Sequence, residues 1–310
     1  MTVSEVAERI EETDEAWISG ENRDCENLTE KLEKRARSGR PMQGFKLNGC
    51  ELSNISLVNH HAKQGFRLHN ADLYRANLRG AHCFMLDLSG SSLMKADLTG
   101  ANLHCANLTG CNLLGTRFNH AKLEHVIWGD KVLQEQQAEV AATEEERQDL
   151  YQQAEEIYRH LRKVFETEGL FQKAGYFFER EMVVRRKQMP KWSAPRLFSK
   201  LVDLFCGYGE QPLRVIVFSN IIILLFAMLY FVSGVSFAGE QLAYRSGSGL
   251  EQNATAFLDS LYFSVVTFTT LGYGDITPLG LSRLFAACEA LMGSFTLALF
   301  VVVFVKKMTR

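Results

Sequence analysis

The stretch Thr269-Thr270-Leu271-Gly272-Tyr273-Gly274-Asp275 decides how the rest of this 310-residue chain is read. Glycines alternate with bulky residues there, so alternate positions can reach dihedrals closed to most side chains, and successive carbonyls can point the same way. Just upstream, Phe257, Leu261, Val265 and Phe268 recur at helical spacing, which predicts an amphipathic helix over 254–269. Further upstream, Val215–Gly239 carries no charge; downstream, Leu284–Val305 carries one charged residue, Glu289. Each stretch exceeds the roughly 20 apolar residues that cross a bilayer at about 1.5 Å per residue. Two membrane helices, at about 213–236 and 281–305, are expected to bracket a short helix and the quoted loop.

Over roughly residues 193–310 this layout resembles the pore of two-helix potassium channels, whose filter reads Thr-Val/Leu-Gly-Tyr-Gly. A potassium ion in a narrow pore loses its water shell, and carbonyl rings from four loops replace it. The resemblance implies K+ sites at the carbonyls of Thr270, Leu271, Gly272 and Tyr273, with the Thr270 hydroxyl, in a filter spanning 270–274 and ending in Gly274. One filter per chain implies three identical subunits as partners, within a lipid bilayer. Potassium ions in the filter are then the bound species, and no organic cofactor is expected. Tyr273 is expected to pack on the pore helix, and Leu271 to point away from the ion path. Asp275 is placed at the outer mouth, where a carboxylate ring concentrates cations. Thr277 stands there too, where relatives sensitive to external tetraethylammonium often carry an aromatic residue.

Val266 occupies the position of a pore-helix Glu that, in some relatives, pairs with the Asp after the filter, so that pair is absent. In the second span Gly293, Ser294, Leu297, Val301 and Val305 are the inner-pore and gate candidates. Gly293 serves as either a hinge or a close-packing site; Val301 and Val305 could close the pore by dewetting. Glu289 is expected to face the pore helix and first span and to hydrogen-bond there. The echo Gly207-Tyr208-Gly209-Glu210 lacks a Thr pair and a preceding pore helix, and reads as a turn at the membrane surface.

Lys and Arg number 34 against 36 Asp and Glu, a net charge of -2 that gives no sign of a nucleic-acid partner. Lys191, Arg196, Lys200 and Arg214 precede the first span, and Lys306, Lys307 and Arg310 follow the second. The positive-inside rule then expects a multi-pass protein of the cell (inner) membrane with both termini cytoplasmic. Met1-Thr2-Val3-Ser4-Glu5 has neither a basic nor an apolar region, so no cleaved signal is expected. Neither a voltage sensor nor a C-terminal regulatory module is expected, because no Arg-rich helix precedes the pore and the chain is short beyond Val305. The 7 cysteines form no CxxC pair and suit free thiols.

A second signal is a period of five. From Leu68 a large residue recurs at every fifth position, through Leu73, Leu78 and Cys83 to Phe118, Leu123 and Trp128. A small residue stands two places before most of them, with Asp or Asn between, as in Ala71-Asp72-Leu73 and Ala106-Asn107-Leu108. The pattern resembles the A(D/N)LXX motif of pentapeptide-repeat proteins over roughly 41–130. It implies a right-handed four-sided β-helix of about four coils, with residues twenty apart stacked about 4.8 Å from each other. A weaker run, Leu47, Leu52, Leu57 and Ala62, is one residue out of phase and implies a bulge or loop near Lys63–Phe66. The rod carries Lys and Arg as well as Asp and Glu, which argues against DNA mimicry. Cys105 and His125 share a column, but lacking a third ligand they read as surface residues.

The fold class expected is thus multidomain: an N-terminal helical cap (1–40, helices near 4–18 and 26–37), the β-helix (41–130), a helical linker (131–192) and an all-α pore domain (193–310). In the linker Leu150, Ala154, Ile157, Leu161 and Phe165 mark one helix, Glu168-Gly169 breaks it, and Phe171–Lys187 forms a second. Pro195–Phe205 suits an interfacial helix. The functional expectation is a tetrameric potassium-selective channel, gated with help from the repeat domain and an unidentified cytoplasmic ligand or protein. The rival is a membrane-anchored scaffold that binds a protein through its repeats and has a non-conducting pore. No phosphate loop, nucleophile–base pair or metal-ligand spacing suggests an enzyme.

Overall fold

The computed structural model describes residues 14–24, 27–59, 65–245, 247 and 249–309, which divide into two units, Met1–Lys191 and Trp192–Arg310. In the first unit, α1 (Asp14–Ser19) and α2 (Leu28–Arg37) precede the repeats. Trp17 stacks on Phe45 with ring centroids 5.3 Å apart, so α1 closes the first coil. The helix expected at 4–18 otherwise lies outside the described residues, as do Cys25 and Ala62.

The repeats form stacked coils. Strand β1 (Met42–Gln43) pairs in parallel with β2 (Leu68–His69), and single parallel bridges continue the columns, as in Arg67↔Asp87↔Asn107↔Ile127. Leucines and small residues fill the interior. Two features of the motif have a visible cause. Asp or Asn before the leucine caps the corner: Asp72 Oδ1 accepts from the Tyr74 amide and Asn107 Oδ1 from the Thr109 amide, both at 3.1 Å. The corner residue itself lies at positive φ, 59° at Lys95 and 70° at Gly100, where Gly and Asn are favoured. Polar residues in the small-residue column are satisfied from the neighbouring coil. Ser91 and Thr116 hydroxyls donate to the Leu68 and Leu93 carbonyls at 3.1 and 2.8 Å.

The first coil departs from this spacing. Lys46 bridges Asp72 and Ser56 bridges His82, 26 residues on rather than 20, so six extra residues lie between Ser56 and Arg67. That gain is one whole repeat plus one residue, which is why the early run is out of phase. Of the loop expected near Lys63–Phe66, residues 63 and 64 lie outside the described set, and Phe66 is buried in the core.

Three helices follow, α3 (Leu133–Val140), α4 (Glu144–Thr167) and α5 (Phe171–Lys187). The expected continuous stretch after Asp130 is interrupted because Thr143 caps α4, its Oγ1 accepting from the Glu146 amide at 3.2 Å. Trp128 packs edge-on to Phe118, Phe165 and Phe177, so the last coil and the helical hairpin share one core. Glu135 is fully buried and accepts from Tyr158 at 2.8 Å, Arg180 at 2.5 Å and Lys187 at 2.9 Å. Burial opposes its charge, but these partners outweigh that cost and hold the carboxyl below the usual range.

In the second unit, α6 (Ala194–Cys206) is capped by Ser193, whose Oγ accepts from the Arg196 amide, and ends at Gly207 in the left-handed region. Leu197, Phe198, Leu201 and Leu204 are exposed, as an interfacial helix requires. Two helices are long and apolar enough to cross a membrane: α7 (Pro212–Ser233) and α9 (Ser282–Met308), with α8 (Leu250–Phe268) between them. The first span stops short of the expected 236 because Gly234, at φ 88°, turns the chain, and its apolar tail becomes a strand. The short helix starts before 254; its polar first turn, with Glu251 near the positive end of the helix dipole, carries no apolar rhythm. The second span continues past 305 through Lys306 and Lys307.

Strands β3 (Val235–Phe237), β4 (Glu240–Leu242) and β5 (Ile276–Pro278) form an antiparallel sheet in the order β4-β3-β5. This sheet was not expected from the sequence.

Candidate functional site

Residues Thr269–Asp275 form a loop anchored at both ends to one apolar cluster. Phe268 closes α8 and Ile276 opens β5; both are buried with Tyr230, Val235 and Phe263. Between these anchors Leu271 and Tyr273 stand 60% and 67% exposed in the single chain. Gly272 and Gly274 lie at φ 60° and 81°, and Thr270 at 58°, so the alternation read from the sequence is present in the backbone. The Thr270 and Leu271 amides donate to the carbonyls of Thr267 and Val266, both at 3.0 Å, which fixes the entrance of the loop.

Asp275 is held from two sides. Its Oδ1 accepts from the Ile276 amide at 3.0 Å, and its Oδ2 accepts from the Tyr262 hydroxyl at 2.8 Å. Tyr262, one turn before Val266 on α8, was not expected from the sequence to meet Asp275. Val266 itself is buried. Thr277 sits on β5, opposite Ser236.

Along α9, the face formed by Ser282, Glu289, Gly293, Thr296 and Val303 is buried. Glu289 sits where expected: Tyr230 of α7 donates to its Oε2 at 2.6 Å and Ser264 of α8 donates to its Oε1 at 2.5 Å. Three helices thus meet on one carboxyl group, whose partners belong to packing rather than to an ion path. Gly293 does not belong with the exposed candidates. A Cβ there would collide with the Phe268 carbonyl oxygen, so the residue is a close-packing site beside the end of α8. Ser294, Leu297, Val301 and Val305 lie on an exposed part of α9, and the Ser294 hydroxyl donates to the Leu291 carbonyl at 2.9 Å. No group of three or more His, Cys, Asp or Glu side chains suited to a metal occurs among the described residues, Cys105 and His125 included. Among the described residues no cysteine forms a disulfide.

The "Ion channel" family matches residues 218–310, and "Pentapeptide repeats" match residues 91–127 in 8 copies. Protein LctB of Geobacillus stearothermophilus is 41% identical over 69 residues, 22% of this chain and 50% of that protein. The inward rectifier potassium channel Kirbac3.1 of Paramagnetospirillum magnetotacticum is 36% identical over 93 residues, 29% of this chain and 30% of that channel. The chain therefore spans half or less of the length of these relatives. Among solved structures, a pentapeptide-repeat protein (Rfr23) from the cyanobacterium Cyanothece 51142 is 29% identical, covering 29% of this chain and 57% of that one, with a TM-score of 0.27. The ion-channel match, residues 218–310, holds the quoted loop and most of both spans, and the repeat match falls on the stacked coils. The chain is a potassium-channel-like membrane protein that carries a pentapeptide-repeat domain.

Proposed function

We propose that four copies of this chain form a potassium-selective channel. The observation that carries the reading is the Thr269–Asp275 loop, anchored at Phe268 and Ile276 between two membrane-length helices with its middle left exposed. In a fourfold assembly the carbonyls of Thr270, Leu271, Gly272 and Tyr273 face a common axis and replace the water of K+. The exposed Leu271 and Tyr273 side chains then pack against a neighbouring subunit, and Ser294, Leu297, Val301 and Val305 line the inner path. Both termini lie in the cytoplasm of a cell whose inner membrane holds the channel. The repeats wind as a right-handed four-sided β-helix, and this domain biases the gate: a ligand or protein that binds it shifts opening only by its differential affinity for the two states.

In liposomes or planar bilayers, the reversal potential of the full-length protein should follow the potassium gradient, with sodium poorly permeant and barium blocking. A reversal potential indifferent to that gradient would leave the scaffold reading in its place. Removal of residues 1–130 should preserve selectivity while changing open probability; identical gating with and without them would confine the repeats to assembly or targeting.

A further inference from the structure

Ser282 is the first residue of α9 and fully buried, and it lies beyond β5 in the sequence. Its hydroxyl donates to the Gly234 carbonyl at 2.6 Å and lies 2.7 Å from the Ser233 hydroxyl. Gly234 is the hinge between α7 and β3: its φ of 88° suits glycine, and a Cβ there would stand 2.7 Å from Gln241 Nε2. From Gly234 the chain enters β3 at once, and β3 pairs residue for residue with β5: Val235↔Pro278, Ser236↔Thr277, Phe237↔Ile276. Strand β5 begins directly after Asp275. Ser282 is thus joined to the downstream end of the loop by one hydrogen bond and one strand pairing.

The upstream end of the loop needs no such device, since it continues a helix and donates amides back into it. The downstream end has only the short β5, the Tyr262 contact and the buried Ile276. We infer that Ser282 is a positioning residue for the filter: by fixing Gly234 it sets where β3, and so β5, holds the carbonyls of Tyr273 and the turn at Gly274. The inference rests on the reading of 270–274 as a selectivity filter. A loop whose downstream end is free to shift leaves its last carbonyl ring loosely spaced, and a loose ring discriminates poorly between ions of different radius.

The test uses full-length protein in planar bilayers, comparing wild type with Ser282→Ala, Ser282→Thr and Ala238→Pro. Ala238 lies in the β3–β4 turn at φ 50°, which proline cannot adopt, so that change loosens the hairpin without touching the buried serines. Ser282→Ala should lower the potassium-to-sodium permeability ratio by roughly tenfold, the scale of one stranded buried hydrogen bond. Ser282→Thr, which keeps the hydroxyl, should restore most of it, and Ala238→Pro should move the ratio the same way by less. If Ser282→Ala does not assemble, Ser282→Cys, which keeps the size of the side chain but weakens its hydrogen bond, takes its place beside Ala238→Pro. Wild-type ratios in the alanine and proline variants would overturn the positioning role while leaving the filter reading intact. A non-selective wild type would overturn both.

Discussion

Lys306 Nζ, in the last turn of α9, lies 2.5 Å from Glu210 Oε1, in the turn between α6 and α7. The carboxylate is buried, and beneath the pair Val303 packs with Cys206 and Val215. The elbow is itself braced, since Arg214 donates to the Asp203 carboxylate and carbonyl at 3.2 and 3.0 Å. Val301 and Val305, proposed above to line the inner path, share these turns of α9, so a gating movement of that segment would also shift Lys306 against Glu210.

Glu210→Gln and Lys306→Gln should therefore each shift open probability in the same direction. The double variant should shift it no further than either alone, giving a coupling of about 0.5–3 kcal/mol. Single-channel recording measures this directly, and strictly additive shifts would mean that the pair plays no part in gating.

Gly293→Ala should damage conduction far more than an exposed change on the same helix. The added methyl meets the Phe268 carbonyl, the last one of α8 before the Thr269–Asp275 loop, so the loop entrance must move. Ion flux at equal protein per liposome should fall at least severalfold against Ser294→Ala, while assembly on a sizing column stays normal. Equal flux in the two variants would mean that the contact with the Phe268 carbonyl does not hold the loop entrance in place.

Thr277→Tyr should strengthen block by external tetraethylammonium. Cation–π contact contributes about 0.5–2 kcal/mol, so the half-blocking concentration should fall by roughly tenfold. An unchanged concentration would show that residue 277, on β5, does not reach the mouth.

The first unit should lose stability on acidification in two stages. Burial lowers the basicity of His160, and its Nε2 is buried without a hydrogen-bond partner. A histidine with a depressed folded pKa contributes stability above its unfolded value of about 6.5 and loses it as pH falls. Glu135, also depressed, contributes above about 4.3 and loses that contribution at lower pH still. Hydrogen exchange of α4 in the full-length protein should quicken between pH 7 and 5, after correction for the intrinsic rate. His160→Gln should flatten that stage and leave the one below pH 4 in place. A pH 7-to-5 response unchanged by the substitution would assign it to another group.

Much of this architecture was legible because it repeats or because it is long. Each inward column from Leu68 to Trp128 restates the same side-chain volume, and α7 and α9 far exceed any soluble stretch of equal apolarity. The backbone of the Thr269–Asp275 loop was readable since Gly272 and Gly274 answer a requirement, positive φ, that few other residues meet. What escaped was short and non-local. Strands β3 and β5 hold three residues each, too few for an alternating pattern to register, and pair across the whole of α8. The break before α4 did have a signal, Thr143 followed three residues later by Glu146, the spacing of a capping box. Gly293 could not be settled from sequence, because the Phe268 carbonyl that decides between hinge and packing comes from another helix.

The aromatic lid on the last coil has a consequence for how this protein behaves in a crowd. A stack of parallel coils is an unfinished polymer, for each layer presents the next with a matching template of unpaired backbone and apolar surface. Here Trp128 is occupied by Phe165 and Phe177, and the Asn112 side chain accepts from Gln134 of α3 at 2.7 Å. At that face the seat of a further layer is already taken, so growth by end-to-end accretion of copies is blocked by the same residues that complete the core.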